Sequence, residues 1–222
     1  EYRREFTQLR KGIFGKRSLV VPRKPLEDHD VGLVRVKPLF APDHAPEMEF
    51  IKQMIKAKNR IDFAAFTFSQ SSGIDDAMVN AREKGLSVTG LLDRRQANQS
   101  WAAKHTLRTA DITLHRNRTG TGVRKVHHKL MVIDDRMTII GSFNYTGPAN
   151  LVNDENIIVL GDLDLHDNPA AEDAQRSLAE YARAEIDRIS GEIQTAEDKI
   201  NARVYELFDL TPAEIKLLEA NI

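Results

Sequence analysis

The stretch that most constrains this chain is residues 126–144, Val-His-His-Lys-Leu-Met-Val-Ile-Asp-Asp-Arg-Met-Thr-Ile-Ile-Gly-Ser-Phe-Asn. Two apolar runs separated by Asp134-Asp135-Arg136 predict adjacent strands joined by a short polar turn. Side chains alternate along a strand, so His127 and Lys129 share one face while His128 and Leu130 share the other. An imidazole and an ammonium side by side on an apolar strand are costly in a core. They suit a site that grips a phosphate.

Spacing adds specificity: His127-x-Lys129, four residues, Asp134, six residues, then Gly141-Ser142-x-Asn144. This pattern resembles the HKD signature of the phospholipase D superfamily with its trailing Gly-Ser-x-Asn, and the resemblance runs from about residue 34 to about residue 160. The fold expected is α/β: a mixed, largely parallel sheet flanked by helices, with a C-terminal helical extension. In that family the active site forms where two motif-bearing halves meet about a pseudo-twofold axis. This chain carries one motif, so the resemblance implies a second half from a homodimer mate or a preceding domain.

A phosphodiester resists attack because its oxygens are negative and its leaving alkoxide is poor. Hydrolysis therefore needs a nucleophile, a proton donor and fixed positive charge. His127 is the candidate nucleophile, through a phosphohistidine, since an imidazole is substantially neutral near pH 7. Lys129 and Asn144, helped by Ser142, are the candidates for holding the phosphoryl oxygens. His128, facing away, cannot supply the second imidazole. Asp134 reads as structural, fixing the turn. Glu155 resembles the acidic residue that family members place behind the nucleophilic histidine, holding its tautomer. The histidines are scattered and Asp134-Asp135 lack partners at ligand spacing, so no metal or cofactor is expected.

Composition bounds the partners. At 222 residues, 41% hydrophobic and 29% charged, the chain suits one globular domain with an appendage. It has no cysteine, which excludes disulfides and cysteine-based zinc sites and fits a cytoplasmic location. No apolar run suffices to span a bilayer, so no stable membrane insertion is expected. Net charge is −1, but residues 94–129 are strongly basic with Asp111 as the single acid, and residues after 150 are acid-rich. That bias leads into the motif and suggests a polyanionic partner. Arg116, Arg118, Arg124 and Lys125, in a glycine-bearing loop, are the candidate substrate contacts.

In order, residues 1–30 read as a helix and linker, residues 31–165 as the catalytic domain, and residues 166–222 as the helical extension. Tyr2, Phe6 and Leu9 stand at helical spacing, and a similar pattern after Glu180 suggests that residues 1–16 are the tail of a preceding similar half of a longer polypeptide. Strands are expected at residues 31–37, 60–68, 86–92, 112–115 and 155–160. Helices are expected at 47–58, with Met48, Ile51, Met54 and Ile55 inward, and at 74–84 and 97–109. Residues 38–46 read as a proline-punctuated loop, with His44 on the surface, and Trp101 as a packing or rim residue. Residues 167–208 read as a long helix broken or kinked near Gly191. Thr211 and Pro212 open a last helix, in a segment that looks like the closing segment of restriction–modification DNA methylases.

These signals favour a metal-independent nuclease. A phospholipase D or transphosphatidylase acting on phospholipid headgroups is the first alternative. A vestigial nucleic-acid-binding or dimerisation module is the second.

Overall fold

A computed structural model describes residues 1–20, 26–117, 123–164, 168–207 and 210–219. Arg118, the glycine-bearing part of the basic loop and residues 21–25 of the linker lie outside the described residues. Among those described, the strands are β1 (His29–Val31), β2 (Val34–Ala41), β3 (Arg60–Ala65), β4 (Ser87–Leu92), β5 (Thr113–Arg116), β6 (Lys129–Ile133), β7 (Met137–Gly141) and β8 (Glu155–Leu160). They form one sheet in the order β1-β2-β8-β7-β6-β3-β4-β5.

The sheet is mixed, as expected, but its balance differs from the expected one. Only β3–β4 and β4–β5 are parallel; the other five pairings are antiparallel. Parallel neighbours require a crossover, and the helix at Ile74–Glu83 supplies it between β3 and β4, those at Arg94–Ala97 and Lys104–Thr109 between β4 and β5. The motif strands β6 and β7 instead form a hairpin through the three-residue loop Asp134-Asp135-Arg136. Asp134 and Asp135 both take φ 54°, and the Arg136 N–H closes the turn on the Ile133 carbonyl at 3.0 Å. Positive φ at both central positions matches the strands' twist, and aspartate tolerates it better than most residues.

Period-two alternation divides the core. Met131, Ile133, Phe63 and Ile139 pack with α2 (Pro46–Lys56), α3 (Ile74–Glu83) and α5 (Lys104–Thr109) on one face. Leu130, Val132, Ala64 and Leu91 pack on the other face against Ala179, Ile186, Ile189 and Ile193 of α7 (Pro169–Leu207). One expectation is corrected here: the helix runs unbroken past Gly191, because Ile189 and Ile193 bury on either side of an exposed glycine whose cost is only about 1 kcal/mol. The first part of α7 roofs the sheet through Ala179, Ile186, Ile189 and Ile193.

Other differences are local. Residues 31–37 are the β1–β2 hairpin rather than one strand, and β2 continues through Pro38 to Ala41. β1 reaches only Val36, so β2 is an edge strand beyond it and tolerates a proline. In α2 the buried face is Phe50 and Met54, while Met48 and Ile55 are exposed. The helix expected at 97–109 is two short ones, α4 (Arg94–Ala97) and α5. The first helix, α1 (Tyr2–Arg10), is inverted: Glu5 and Gln8 are buried while Tyr2 and Phe6 are exposed. It sits on β2, with the Tyr2 and Phe40 rings 4.9 Å apart and Arg4 paired to Asp43 at 3.3 Å. Thr211 caps the last helix, α8 (Pro212–Glu219), as expected, in a reciprocal pair with Glu214.

Candidate active site

Strand register brings the chemistry to one edge of the sheet. Lys129 opens β6 beside Ala65, the last residue of β3; Ala65 pairs with Leu92, the last of β4; and Leu92 pairs with Arg116, the last of β5. On the other side Gly141 ends β7 and Glu155 opens β8. Phe66, Asp93, Asn117 and Ser142 therefore all follow strand ends at this edge.

His127 lies two residues before β6 and is exposed, not carried within a buried strand. The ladder has ended at Lys129, so only loop contacts hold it. Buried Asp93 supplies one of them. One of its oxygens caps α4 at the Arg95 and Gln96 N–H groups, 3.0 and 3.2 Å, and the other accepts the N–H of buried Val126 at 3.2 Å. Asn117, also buried, accepts the Arg94 N–H at 2.8 Å and donates to the Val123 carbonyl at 3.1 Å. His127 thus follows a residue tied to the end of β4.

Lys129 is half-buried; its Nζ donates to the His127 carbonyl at 3.0 Å and stands 3.5 Å from the His127 Nδ1. Phe66 lies beside them: its ring centroid is 4.4 Å from that of His127, at an interplanar angle of 50°. The Lys125 and Lys129 ammonium groups lie 4.3 and 5.2 Å from the Phe66 centroid. Desolvation, then the Lys129, Lys125 and His128 charges, lower the His127 pKa from its ordinary 6.5, against the opposing Asp93. Desolvation also lowers Lys129, while Glu155 acts to raise it. Activity that needs neutral His127 should therefore rise with pH through a midpoint below 6.5. In Phe66→Ala, kcat/KM should fall on the order of tenfold and that midpoint move up toward 6.5. A pH–rate profile checks this; an unshifted limb would make the ring mere packing.

Ser142 donates to Glu155 at 2.5 Å and accepts the Asn156 N–H at 3.1 Å. The second Glu155 oxygen takes Asn153 at 3.3 Å. Glu155 thus stands behind Ser142, with its charge acting on Lys129, rather than directly on His127: β7 lies between β8 and β6. Gly141 is dictated by contact. A Cβ there would come within 2.1 Å of the Asn156 carbonyl oxygen. Gly141→Ala should push β7 from β8, costing about 1–3 kcal/mol and moving Ser142 off Glu155. Thermal melting and kcat should fall together, and an unchanged melt would contradict this contact.

Asn144 is placed by its neighbour: the Tyr145 N–H donates to the Thr67 carbonyl at 3.0 Å, and the Tyr145 carbonyl accepts the Ser69 N–H at 2.9 Å. Tyr145 itself is fully buried among Phe50, Phe68 and Phe143. The Asn144 Oδ1 is buried and has no hydrogen-bond partner among the described residues. His128 faces away as expected, its Nε2 3.8 Å from Glu185 on α7. His44 uses Nδ1 to accept the Phe40 N–H at 2.9 Å. Trp101 is 42% exposed, a rim position.

Of the basic residues expected to meet substrate, Lys125 joins His127 and Lys129 around Phe66. Arg116 sits three strands away, its Nη1 3.3 Å from Asn98 Oδ1. Arg124 is exposed, and Arg118 falls outside the described residues. Among those residues no group of three or more His, Cys, Asp or Glu side chains could hold a metal ion, and no helix is long and apolar enough to cross a membrane. Phe66, Asp93 and Asn117 escaped the sequence reading. The apolar run at 60–68 concealed Phe66, and the acid directly after the buried strand at 86–92 was the visible sign of Asp93.

The family described as "Cardiolipin synthase, PLD-like domain" matches residues 50–177, more than half of the chain. The chain belongs to the phospholipase D superfamily. It is a phosphodiesterase of that superfamily. A protein named "Phospholipase D" from Rickettsia conorii is 28% identical over 156 residues, 69% of this chain and 76% of that one. A "Mitochondrial cardiolipin hydrolase" from Chlamydomonas reinhardtii is 31% identical over 113 residues, 51% of this chain and 49% of that one. The crystal structure of the phospholipase D family member Nuc from Salmonella typhimurium superposes with a TM-score of 0.54 at 21% identity, covering 68% of this chain and 95% of that one. The chain thus spans about half the length of one of these sequence relatives and about three quarters of the other.

Proposed function

We propose that this phospholipase D-superfamily chain is one half of a nuclease that cleaves nucleic-acid phosphodiesters through a phosphohistidine. The observation that carries this reading is the sheet edge itself: His127, Lys129, Lys125 and the unpartnered Asn144 oxygen gather where basic residues 94–129 end. A nitrogen of neutral His127 attacks phosphorus and expels an alkoxide; water then attacks the same phosphorus, breaking the P–N bond and restoring the imidazole. Lys129 leaves the His127 carbonyl for a non-bridging oxygen, Lys125 leaves the Phe66 face for another, and the Asn144 amide donates from its nitrogen. Glu155 holds Ser142 in place at the same edge.

The leaving oxygen needs a proton, and His128 is committed to the α7 side. A second copy of this chain, or a preceding similar half, supplies the missing imidazole across the exposed His127 edge. The mechanism runs on histidine and lysine, so activity should survive chelator. The test is parallel incubation in chelator with single- and double-stranded DNA, RNA, and phosphatidylcholine or cardiolipin vesicles. Cleavage of nucleic acid supports the reading; cleavage of lipid alone overturns it. A phospholipid substrate is the second reading, favoured by the named relatives and by exposed Tyr2, Phe6 and Phe14.

A further inference from the structure

A half-open indole stands on a fixed backbone near the same edge. Trp101 is the chain's only tryptophan and is 42% exposed, yet Ala102 and Ala103 beside it are core. The Trp101 carbonyl accepts the Gln70 N–H at 3.2 Å, the Ala102 N–H donates to the Gln99 carbonyl at 3.1 Å, and the Ala103 N–H to that of Phe68 at 3.0 Å. The Gln70 side-chain amide donates to Thr106 Oγ1 at 3.0 Å, closing the loop on α5. The segment around the ring is polar: residues 94–110 carry Arg94, Arg95, Lys104 and Arg108, the amides of Gln96, Asn98 and Gln99, and no Asp or Glu. Among the described residues of 94–129, no other large hydrophobic side chain is exposed. A bilayer or an apolar partner needs a contiguous patch. One flat ring among amides and guanidinium groups instead suits a nucleobase, which offers a flat face and a hydrogen-bonding edge.

The segment leaving β3 links this ring to the site. Tyr145 pairs with Phe68, so Asn144 lies beside Thr67; Ala102 pairs with Ser69 on the other side, so Trp101 lies beside Gln70. Three residues along and two strand spacings across put the Trp101 and Asn144 backbones at most roughly 14 Å apart. A polynucleotide gripped at His127 and Lys129 covers that span within a few nucleotides. We infer that Trp101 is a stacking platform for a base of the strand being cut, a few nucleotides from the scissile phosphate. This inference rests on the nuclease reading and sharpens it. A base can lie on the indole only after leaving its own duplex stack, so the site favours single strands. The fixed backbone beneath the ring keeps the ordering cost of that contact low.

With one tryptophan in the chain, intrinsic emission reports on Trp101 alone. The full chain carrying His127→Ala, which binds without cutting, is titrated with single-stranded DNA of about 12 nucleotides, within the range of footprints such grooves span. Emission should be quenched saturably, and far less by a duplex of the same length. Trp101→Ala should raise the Kd for the single strand about tenfold, while Trp101→Phe, which keeps a ring, should lose far less. The salt slope should stay as it was, because no charge is removed. An unmoved emission, normal binding by Trp101→Ala, or equal losses in the two variants would overturn the inference. The emission reading needs no change at residue 101, so it stands whether or not Trp101→Ala folds. If the parent chain cuts DNA while emission and the Trp101→Ala Kd are unmoved, only this inference fails. If the parent chain cleaves cardiolipin vesicles and no oligonucleotide, the nuclease reading fails with it.

Discussion

His127→Ala should abolish hydrolysis of bis(p-nitrophenyl) phosphate, lowering kcat by about four orders of magnitude or more, as loss of a nucleophile does elsewhere. The fold should survive. His127 is exposed and lies outside the ladder, so the melting curve should move by no more than about 0.5 kcal/mol in stability. The same variant should give no covalent phosphoryl adduct on acid quench, whereas the parent chain should trap one. Substantial residual turnover in a well-folded His127→Ala chain would place the nucleophile elsewhere. Asn144→Ala offers a graded comparison, since its Oδ1 is buried without a hydrogen-bond partner among the described residues.

The second large effect concerns stability. Asp134 accepts the backbone N–H groups of Lys58, Asn59 and Arg60 at 2.7, 2.8 and 2.9 Å. One carboxylate thus ties the motif hairpin to the start of β3, the strand beside it. Asp134→Ala removes three charge-assisted bonds and leaves alanine at φ 54°. The expected loss is about 3 kcal/mol, or roughly 6–12 °C in melting temperature for a chain of this size. Asp134 sits at the end of β6 away from Lys129, so the fraction that remains folded should keep its kcat. Asp134→Asn, which retains one acceptor oxygen, should fall between. An unchanged melt would show that the clamp contributes little, and a lost kcat with an intact melt would move Asp134 into the chemistry.

Much of this was legible in residue order because the informative rules are local. Period-two alternation from Leu130 to Ile133 placed the strand and sorted His128 away from Lys129. The Asp134-Asp135 pair announced its turn, and Thr211 with Pro212 announced a helix start. What stayed hidden depends on neighbours remote in the chain. That Glu155 answers Ser142 rather than His127 follows from β7 standing between β8 and β6. That Gly191 leaves α7 intact follows from the sheet beneath Ile189 and Ile193. Pro38 looked like a strand breaker until the short β1 left its edge free. Phe66 looked like core because β3 is core; only the strand's end, one residue earlier, turns its ring toward the imidazole.

The groups proposed to meet a phosphate lie at or beside strand ends, while the residues that hold the sheet together lie within the strands. Selectivity and robustness can therefore be adjusted separately in this architecture. Exchanging loop residues between β4 and β6 should redirect which polymer or headgroup is accepted without loosening the scaffold, and repacking the interior should harden the scaffold without altering what it cuts.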